Sequence, residues 1–415
     1  MITPPRAAVR RLALGRVISS AGTFAALTAL NFAIYRETRS TAWLAATMLL
    51  TWGLTGFFAP LAGALGDRFD RRAVMIWTEA LAAVGWIVIS FLLDAPALLL
   101  GVAFVSSLVE TPYFPASGAA IPNVAGFDNL SWANSLLAGG NYLGISLGPL
   151  IGGLLVASVG ARWVFIANAG SYLASAALTA SVHADFSDRA SRTEEAEAEH
   201  RGLIAGFRFV VRDRVLRLIV VAWSAAMLGL AMALVADPAL AEAFHMGAFG
   251  YGMIGAAWGG GTILGTWLAR NLRESKEGWY LVVCTALLGV AELGIALAPW
   301  FWVVLFWSVV FGVADGPTQV AEQNLLQRRT PDVVRSRVMG AWEALFHAAL
   351  TGALILGAVV VPILGPKGAY ALGGIAGFVG AIILLPLLKW LPERRAEEAS
   401  PDASAVAPTV PIAPA

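Results

Sequence analysis

Charge is scarce in this chain. Asp, Glu, Lys and Arg supply 13% of the 415 residues and hydrophobic residues 58%, whereas a soluble protein carries roughly 25% charge. A soluble core cannot enclose that much apolar surface, so the composition indicates a polytopic helical membrane protein. Cysteine is nearly absent. Cys284 is alone and lies in an apolar run, which excludes an internal disulfide or a multi-cysteine metal site and leaves a small packing residue. No Gly-rich phosphate loop ending in Lys-Ser/Thr occurs, and no soluble stretch is long enough to hold a nucleotide. An enzyme or a nucleotide-driven pump is therefore not expected, nor is a cofactor. The net charge of +1 gives no reason to expect nucleic acid.

What is present is a series of long apolar runs. They cover 12–35, 42–65, 73–93, 97–121, 131–158, 162–182, 215–236, 248–269, 279–298, 301–326, 336–362 and 367–391, each about the length needed to cross a bilayer. The first follows Arg6, Arg10 and Arg11, is too long for a signal-peptide core and lacks a cleavage signature, so it reads as an uncleaved helix. Alternate loops hold only Arg36, Arg39, Arg162 and Lys367; the other basic residues lie in or next to the opposite set. The positive-inside rule then puts both termini in the cytoplasm.

The expected fold is an all-α membrane protein of twelve transmembrane helices in two pseudo-symmetric six-helix bundles, over residues 1–182 and 215–391. Glu110-Thr111-Pro112 in the fourth run is echoed by Asp315-Gly316-Pro317 in the tenth, and Ser131 is echoed by Ser336 at the same offset. Between the bundles, 183–214 begins with an acidic stretch, Thr193 to His200. It ends in an amphipathic segment where Leu203, Phe207, Val210 and Val211 share one helical face. That segment suits a helix in the membrane interface; a partner-protein helix is the alternative. The 392–415 tail has no periodicity and reads as disordered.

Ionisable groups inside spans are costly, about 2.5 kcal/mol or more at mid-bilayer, so those retained need an explanation. Glu110 and Asp315 lie near mid-helix, each two residues before a proline that removes a backbone donor. Glu322 is seven residues beyond Asp315 and faces the same way. Glu343 and His347 are four apart and in reach of each other, a pairing able to load and release a proton near neutral pH. These five are the proton-coupling candidates; static hydrogen-bonded partners are the plainer reading. Glu79 and Arg16 lie near helix ends, where snorkelling or pairing would account for them. Glu292 has no evident partner.

Two motifs point further. Gly63 to Arg72 is a charged turn of ten residues between two spans, and Gly144-x-x-x-Gly148-Pro149-x-x-Gly152-Gly153 places small residues where another helix can approach closely. Gly63, Leu65, Asp67, Arg68, Arg71 and Arg72 match the loop after the second helix of major facilitator transporters, and the glycine string resembles the fifth-helix signature of drug–proton antiporters. AAIPNVAGFDNLSWANSLL, VFIANAGSYLASA, GFRFVVRDRVLRLIV and QNLLQRRTPDVVRSRVMG are similar to the macrolide-efflux and siderophore-exporter branch. The resemblance implies that Gly63, Asp67, Arg68, Arg71 and Arg72 hold the two halves together on the cytoplasmic side, with Asp128 a partner. It also implies that Gly144, Gly148, Pro149, Gly152 and Gly153 shape the contact between halves, with export as the direction. Asp70 departs from the glycine common in the superfamily, and the fourth span lacks the coupling arginine of some twelve-helix exporters.

The function expected is proton-coupled efflux of amphipathic small molecules (drug, macrolide or siderophore-like) by a monomer in the bacterial cytoplasmic membrane. Trp52, Tyr113, Tyr142, Trp223 and Trp307 are candidate walls of an apolar pocket, though for any one of them a core or lipid-facing aromatic is the plainer reading. The partners are the substrate, protons and the bilayer. The alternatives are an uptake symporter or uniporter of a metabolite, and a non-transporting sensor or scaffold.

Overall fold

Hydrocarbon offers no partner to a peptide group, so an apolar span must close its own hydrogen bonds. The computed structural model describes residues 3–38, 43, 46–47, 49–187, 202 and 204–390, and these form helices without strands. The acidic linker stretch, the 392–415 tail, the start of the second span and the side chain of Trp52 lie outside the described residues. Ten segments are long and apolar enough to cross a membrane. Two further helices, Ala161–Ala180 and Gly247–Ala269, have 20 and 23 residues, consistent with the twelve crossings expected.

The helices are α1 (Pro5–Thr38), α2 (Ala59–Arg68), α3 (Arg71–Ile89), α4 (Pro96–Glu110), α5 (Tyr113–Ala125), α6 (Leu130–Val159) and α7 (Ala161–Ala180). After the linker come α8 (Ala205–Arg212), α9 (Arg214–Ala243), α10 (Gly247–Ala269), α11 (Glu277–Ala296), α12 (Phe301–Arg329) and α13 (Asp332–Leu384). Several boundaries have a local cause. Asp70 caps α3 by accepting from Ala73 N at 2.9 Å, and Asp213 caps α9 by accepting from Val215 N and Leu216 N. At 53 residues α13 is far longer than a bilayer is thick. Gly365, at φ 70°, followed by Pro366, bends it into two crossings.

The two acid-proline sites differ. Pro112 separates α4 from α5, whereas Pro317 sits inside the continuous α12. The symmetric disruption expected from sequence is therefore found only in the fourth span. Around Pro317, Gly312 and Gly316 bring α12 against the backbone of α10, and this packing keeps the helix whole despite the missing donor. The second span is irregular as well. A π turn, Leu49–Gly53, and a 3₁₀ turn, Thr55–Phe58, lead into α2.

Helices α1 and α3 to α7 pack mainly on one another, with α1 against α6 and α7 and α3 against α7, whereas α2 packs mainly on α13. In the later set, α9 and α11 pack on α13 and α10 on α12. The sets meet where α2 and α5 touch α13 and where α6 touches α10 and α12. The start of α1 and the end of α7 share one end of the molecule: Thr3 N donates to His183 O at 2.8 Å and Arg11 to Ser181 O at 2.8 Å. That end carries most of the arginines.

Helix α8 corrects one sequence expectation. Val210 is buried with Ala205 and Gly206, whereas Val211 is 59% exposed. The two valines do not share a face toward one environment, because the short helix is seated on its small residues.

Candidate functional site

At the arginine-rich end, Arg71 is fully buried and joins three helices from both sets. Its Nη1 lies 2.6 Å from Asp332 Oδ1, its Nη2 donates to Asp332 O at 2.6 Å and lies 3.3 Å from Asp67, and its Nε donates to Ser336 Oγ at 3.1 Å. Asp67 in turn accepts from Ser336 N at 3.0 Å and Arg337 N at 2.9 Å, so the end of α2 is fastened to the first turns of α13. Asn123 and Arg335 also donate to Asp332, at 2.7 and 2.9 Å. Gly63 makes this approach possible, since a Cβ there would strike Ser336 O. The expected partner Asp128 is exposed, and Asp332 takes its place. Arg68 is exposed, with its guanidinium 5.7 Å from the Phe69 ring, and Arg72 donates to Ala180 O.

A second fastening sits beside it. Ser131 donates to Leu272 O at 2.5 Å and accepts from Asn324 at 2.8 Å. Asn134 donates to Asn324 Oδ1 at 2.8 Å and Gln327 Oε1 at 2.7 Å, and Gln327 donates to Gly118 O at 3.0 Å. Buried Glu277 accepts from Asn324 at 3.0 Å and pairs with Arg328 at 3.4 Å. Ser131 and Ser336, matched in sequence, thus occupy matching places. The charges are reversed: an arginine opens α3 in the first fastening and a glutamate opens α11 in the second. Among the described residues, no hydrogen bond or ion pair joins the two sets at the opposite end.

Deeper in the molecule, the predicted acids of α12 and α13 lie near the contact between the sets. Gln319 donates to both Asp315 oxygens at 3.1 Å and to the Tyr142 hydroxyl, which bridges α12 to α6. Tyr142 is set edge-on to Trp258, with centroids 6.0 Å apart. Glu322 is buried near Trp342, Asp315 and Glu343, and one of its oxygens has no partner among the described residues. Glu343 and His347 are 4.0 Å apart, while His347 Nδ1 sits 2.8 Å from the Glu343 carbonyl and the ring abuts Gly56. On the α1–α7 side, Glu110 faces Tyr172, whose hydroxyl shares a 2.9 Å hydrogen bond with Thr23.

Arg16 and Glu79 belong to this group rather than to the helix ends. Glu79 is 1% exposed. The Arg16 guanidinium stacks over Tyr113 at 4.7 Å and Phe114 at 4.3 Å, within electrostatic range of Glu79, Glu110 and Glu343.

The remaining predicted residues scatter. Trp223 packs on Phe346 at 4.9 Å and borders a cavity of about 40 Å³ shared with Asp315 and Glu322. That volume holds a water or two, not a ligand needing about 300 Å³. Trp307 lies against Gly294 in the later set. Gly144, Gly148 and Gly152 lie against Ser20, Phe24 and Ala25 of α1, so the glycine string joins two helices of one set rather than the two sets; a Cβ on Gly153 would meet nothing. Glu292 is enclosed by Gly229 and Gly373, and buried Asp237 accepts from Tyr370.

The Major Facilitator Superfamily model matches residues 12–291 and 276–414. The chain belongs to the Major Facilitator Superfamily. Similar relatives include the enterobactin exporter EntS of Shigella flexneri, 27% identical with 96% of this chain and 95% of that protein covered. EntS of Escherichia coli O81 (strain ED1a) is 28% identical over the same shares. Among solved structures, the human organic anion transporter MFSD10 (TETRAN) has a TM-score of 0.75 at 16% identity, covering 92% of this chain and 100% of that one. A bacterial homologue of the iron transporter ferroportin, in an outward-facing state, has a TM-score of 0.72 at 17% identity, covering 91% and 98%. These structural likenesses show the facilitator fold. As a facilitator, the chain is an integral membrane transporter of a small molecule. Sequence reasoning missed Asp332, Gln319, Asn134, Asn324 and Glu277 in this facilitator, because polar residues near span ends look the same whether or not they face the other half.

Proposed function

We propose that this facilitator is a proton-coupled exporter of amphipathic small molecules of the siderophore or drug kind, working as a monomer by alternating access in a bacterial cytoplasmic membrane. Its halves are residues 1–182 and 215–391, joined by the 183–214 linker, with the 392–415 tail and both termini cytoplasmic. Export is the direction named for the enterobactin-exporter relatives. The single observation that carries the coupling is the group of buried carboxyls near the contact between helix sets, Glu343, Glu322 and Asp315, with Glu110 linked to Glu343 through Arg16.

A carboxylate in that setting is costly as an anion unless a donor or cation faces it, so its charge state is tied to which groups face it. Arg16 supplies a cation to Glu110 on one side and Glu343 on the other. Gln319 donates to Asp315 from within α12, whereas the Tyr142 hydroxyl reaches this group only while α6 and α12 are together. Separation of the halves removes the Tyr142 hydroxyl from this group and favours proton uptake; reunion favours release. A proton can therefore shift the balance between states by its differential affinity for them. Fastening at the arginine-rich end, with no such bonds among the described residues at the other, supports an arrangement closed to the cytoplasm. The narrow cavity beside Asp315 fits a substrate space that widens only in another arrangement.

The test uses proteoliposomes with a trapped pH dye and a catecholate or macrolide probe. Wild type moves protons when the probe is added. Asp315→Asn is expected to abolish that movement, and unchanged coupling in the variant would remove Asp315 from the mechanism.

A further inference from the structure

Transport as derived leaves one charged surface unused. On α8, Ala205, Gly206 and Val210 face the protein, while Ile204 (60% exposed) and Val211 (59% exposed) lie on the outer stripe with exposed Arg208 and Arg212. The spacing of these outer residues, i, i+4, i+7 and i+8, makes them one helical face. Exposed Arg214 follows at the start of α9, its guanidinium 5.0 Å from the Trp390 ring, next to exposed Lys389. The acid within this stretch, Asp213, is committed inward: it caps α9 and pairs with Arg329 at 2.9 Å. No carboxylate among the described residues pairs with Arg208, Arg212, Arg214 or Lys389.

We propose that this face docks anionic phospholipid headgroups and that its occupancy holds the Arg71–Asp332 fastening closed. Several guanidinium groups without carboxylate partners among the described residues match phosphodiester oxygens in charge and geometry. Ile204 and Val211 between them suit the acyl boundary, and α8 lies at that level because it runs straight into the spanning α9. The link to the fastening is backbone contact. Gly206 abuts the carbonyl of Arg337, with Val338 N 3.0 Å from where its Cβ would be, and the N–H of that same Arg337 donates to Asp67 at 2.9 Å. Pressure on α8 from the membrane side therefore bears on the turn of α13 that Asp67 grips. Orientation enters only in assigning the lipid to the cytoplasmic leaflet; the docking itself does not depend on what the protein carries.

The full chain, with Cys284→Ser and spin labels at Phe69→Cys and Ser275→Cys, is placed in nanodiscs of phosphatidylcholine with or without phosphatidylglycerol. Phosphatidylglycerol is expected to move the distance distribution across the arginine-rich end toward the short population. Arg208→Gln/Arg212→Gln/Arg214→Gln should abolish the shift and lower phosphatidylglycerol retention, measured by native mass spectrometry, by roughly tenfold or more; the triple Lys variant should keep both. Gly206→Ala should retain the lipid but lose the shift. An identical response of wild type in both lipids, or a triple Gln variant that responds like wild type, overturns the proposal. A shift that emerges only after Glu194, Glu195, Glu197 and Glu199 are changed to Gln would assign the face to the linker's own acids and also overturn it.

Discussion

Within the charged turn, the five ionised side chains between Asp67 and Arg72 have separate fates. Arg71 is buried and uses all three guanidinium nitrogens on Asp332, Asp67 and Ser336, while Arg68 stays outside. Removing one partner from a buried ion pair costs about 3–5 kcal/mol, because the other charge is left uncompensated. Arg71→Gln is therefore expected to lower thermal stability by that order and to abolish transport. Arg71→Lys should rescue little, since one ammonium cannot reproduce a planar fork. Arg68→Gln should stay within about 0.5 kcal/mol of wild type. Equal damage from Arg68→Gln and Arg71→Gln in a melting experiment would contradict this division of roles. The turn was legible as a motif, but the residue that meets it was not. Asp128 and Asp332 both stand just beyond a span, and only the lateral order of helices puts Asp332 against Arg71.

Among the helices, the glycine string of α6 shows how a correct motif can serve a different contact. Its spacing presents Gly144, Gly148 and Gly152 on one stripe, and that stripe meets α1. Added methyl groups there must push the backbones apart, at about 1–3 kcal/mol each. Gly148→Ala and Gly152→Ala should lower the melting temperature. Gly153→Ala, with open space at its Cβ, should be neutral or stabilising by up to about 1 kcal/mol, the helix-propensity difference. A destabilising Gly153→Ala would show that the stripe is rotated from this description. The same dependence on rotation explains α8. Its hydrophobic residues were visible in sequence, but the docked face was chosen by Gly206 and Ala205 rather than by Phe207 and Val211.

Across the whole molecule, the two fastenings act in parallel at one end, and the repeat that relates them conserves position but not charge. The Glu277–Arg328 pair should therefore tolerate exchange. Glu277→Arg and Arg328→Glu alone are expected to reduce transport, and together to recover it. A double-mutant cycle on stability should give a coupling of about 0.5–3 kcal/mol. Additive losses would mean that the pair is incidental to closure. Asn134, Asn324 and Gln327 lie in the same network, so Asn134→Ala, which strands two acceptors, serves as the control expected to fail without rescue.

Membrane residence, the approximate number of crossings, the uneven arginine distribution and the family motifs were determined by the sequence alone, because each depends on composition, run length or spacing along one strand of chain. The partner of Arg71, the inward placement of Arg16 and Glu79, the choice of α1 by the glycines and the joining of Asp315 to Tyr142 through Gln319 were decided by the tertiary structure. Each of those requires the order of helices around the bundle and the rotation of each about its axis. In a lipid environment nearly every helix face is apolar, so hydrophobic periodicity, which sets rotation in a soluble protein, carries little of that information here.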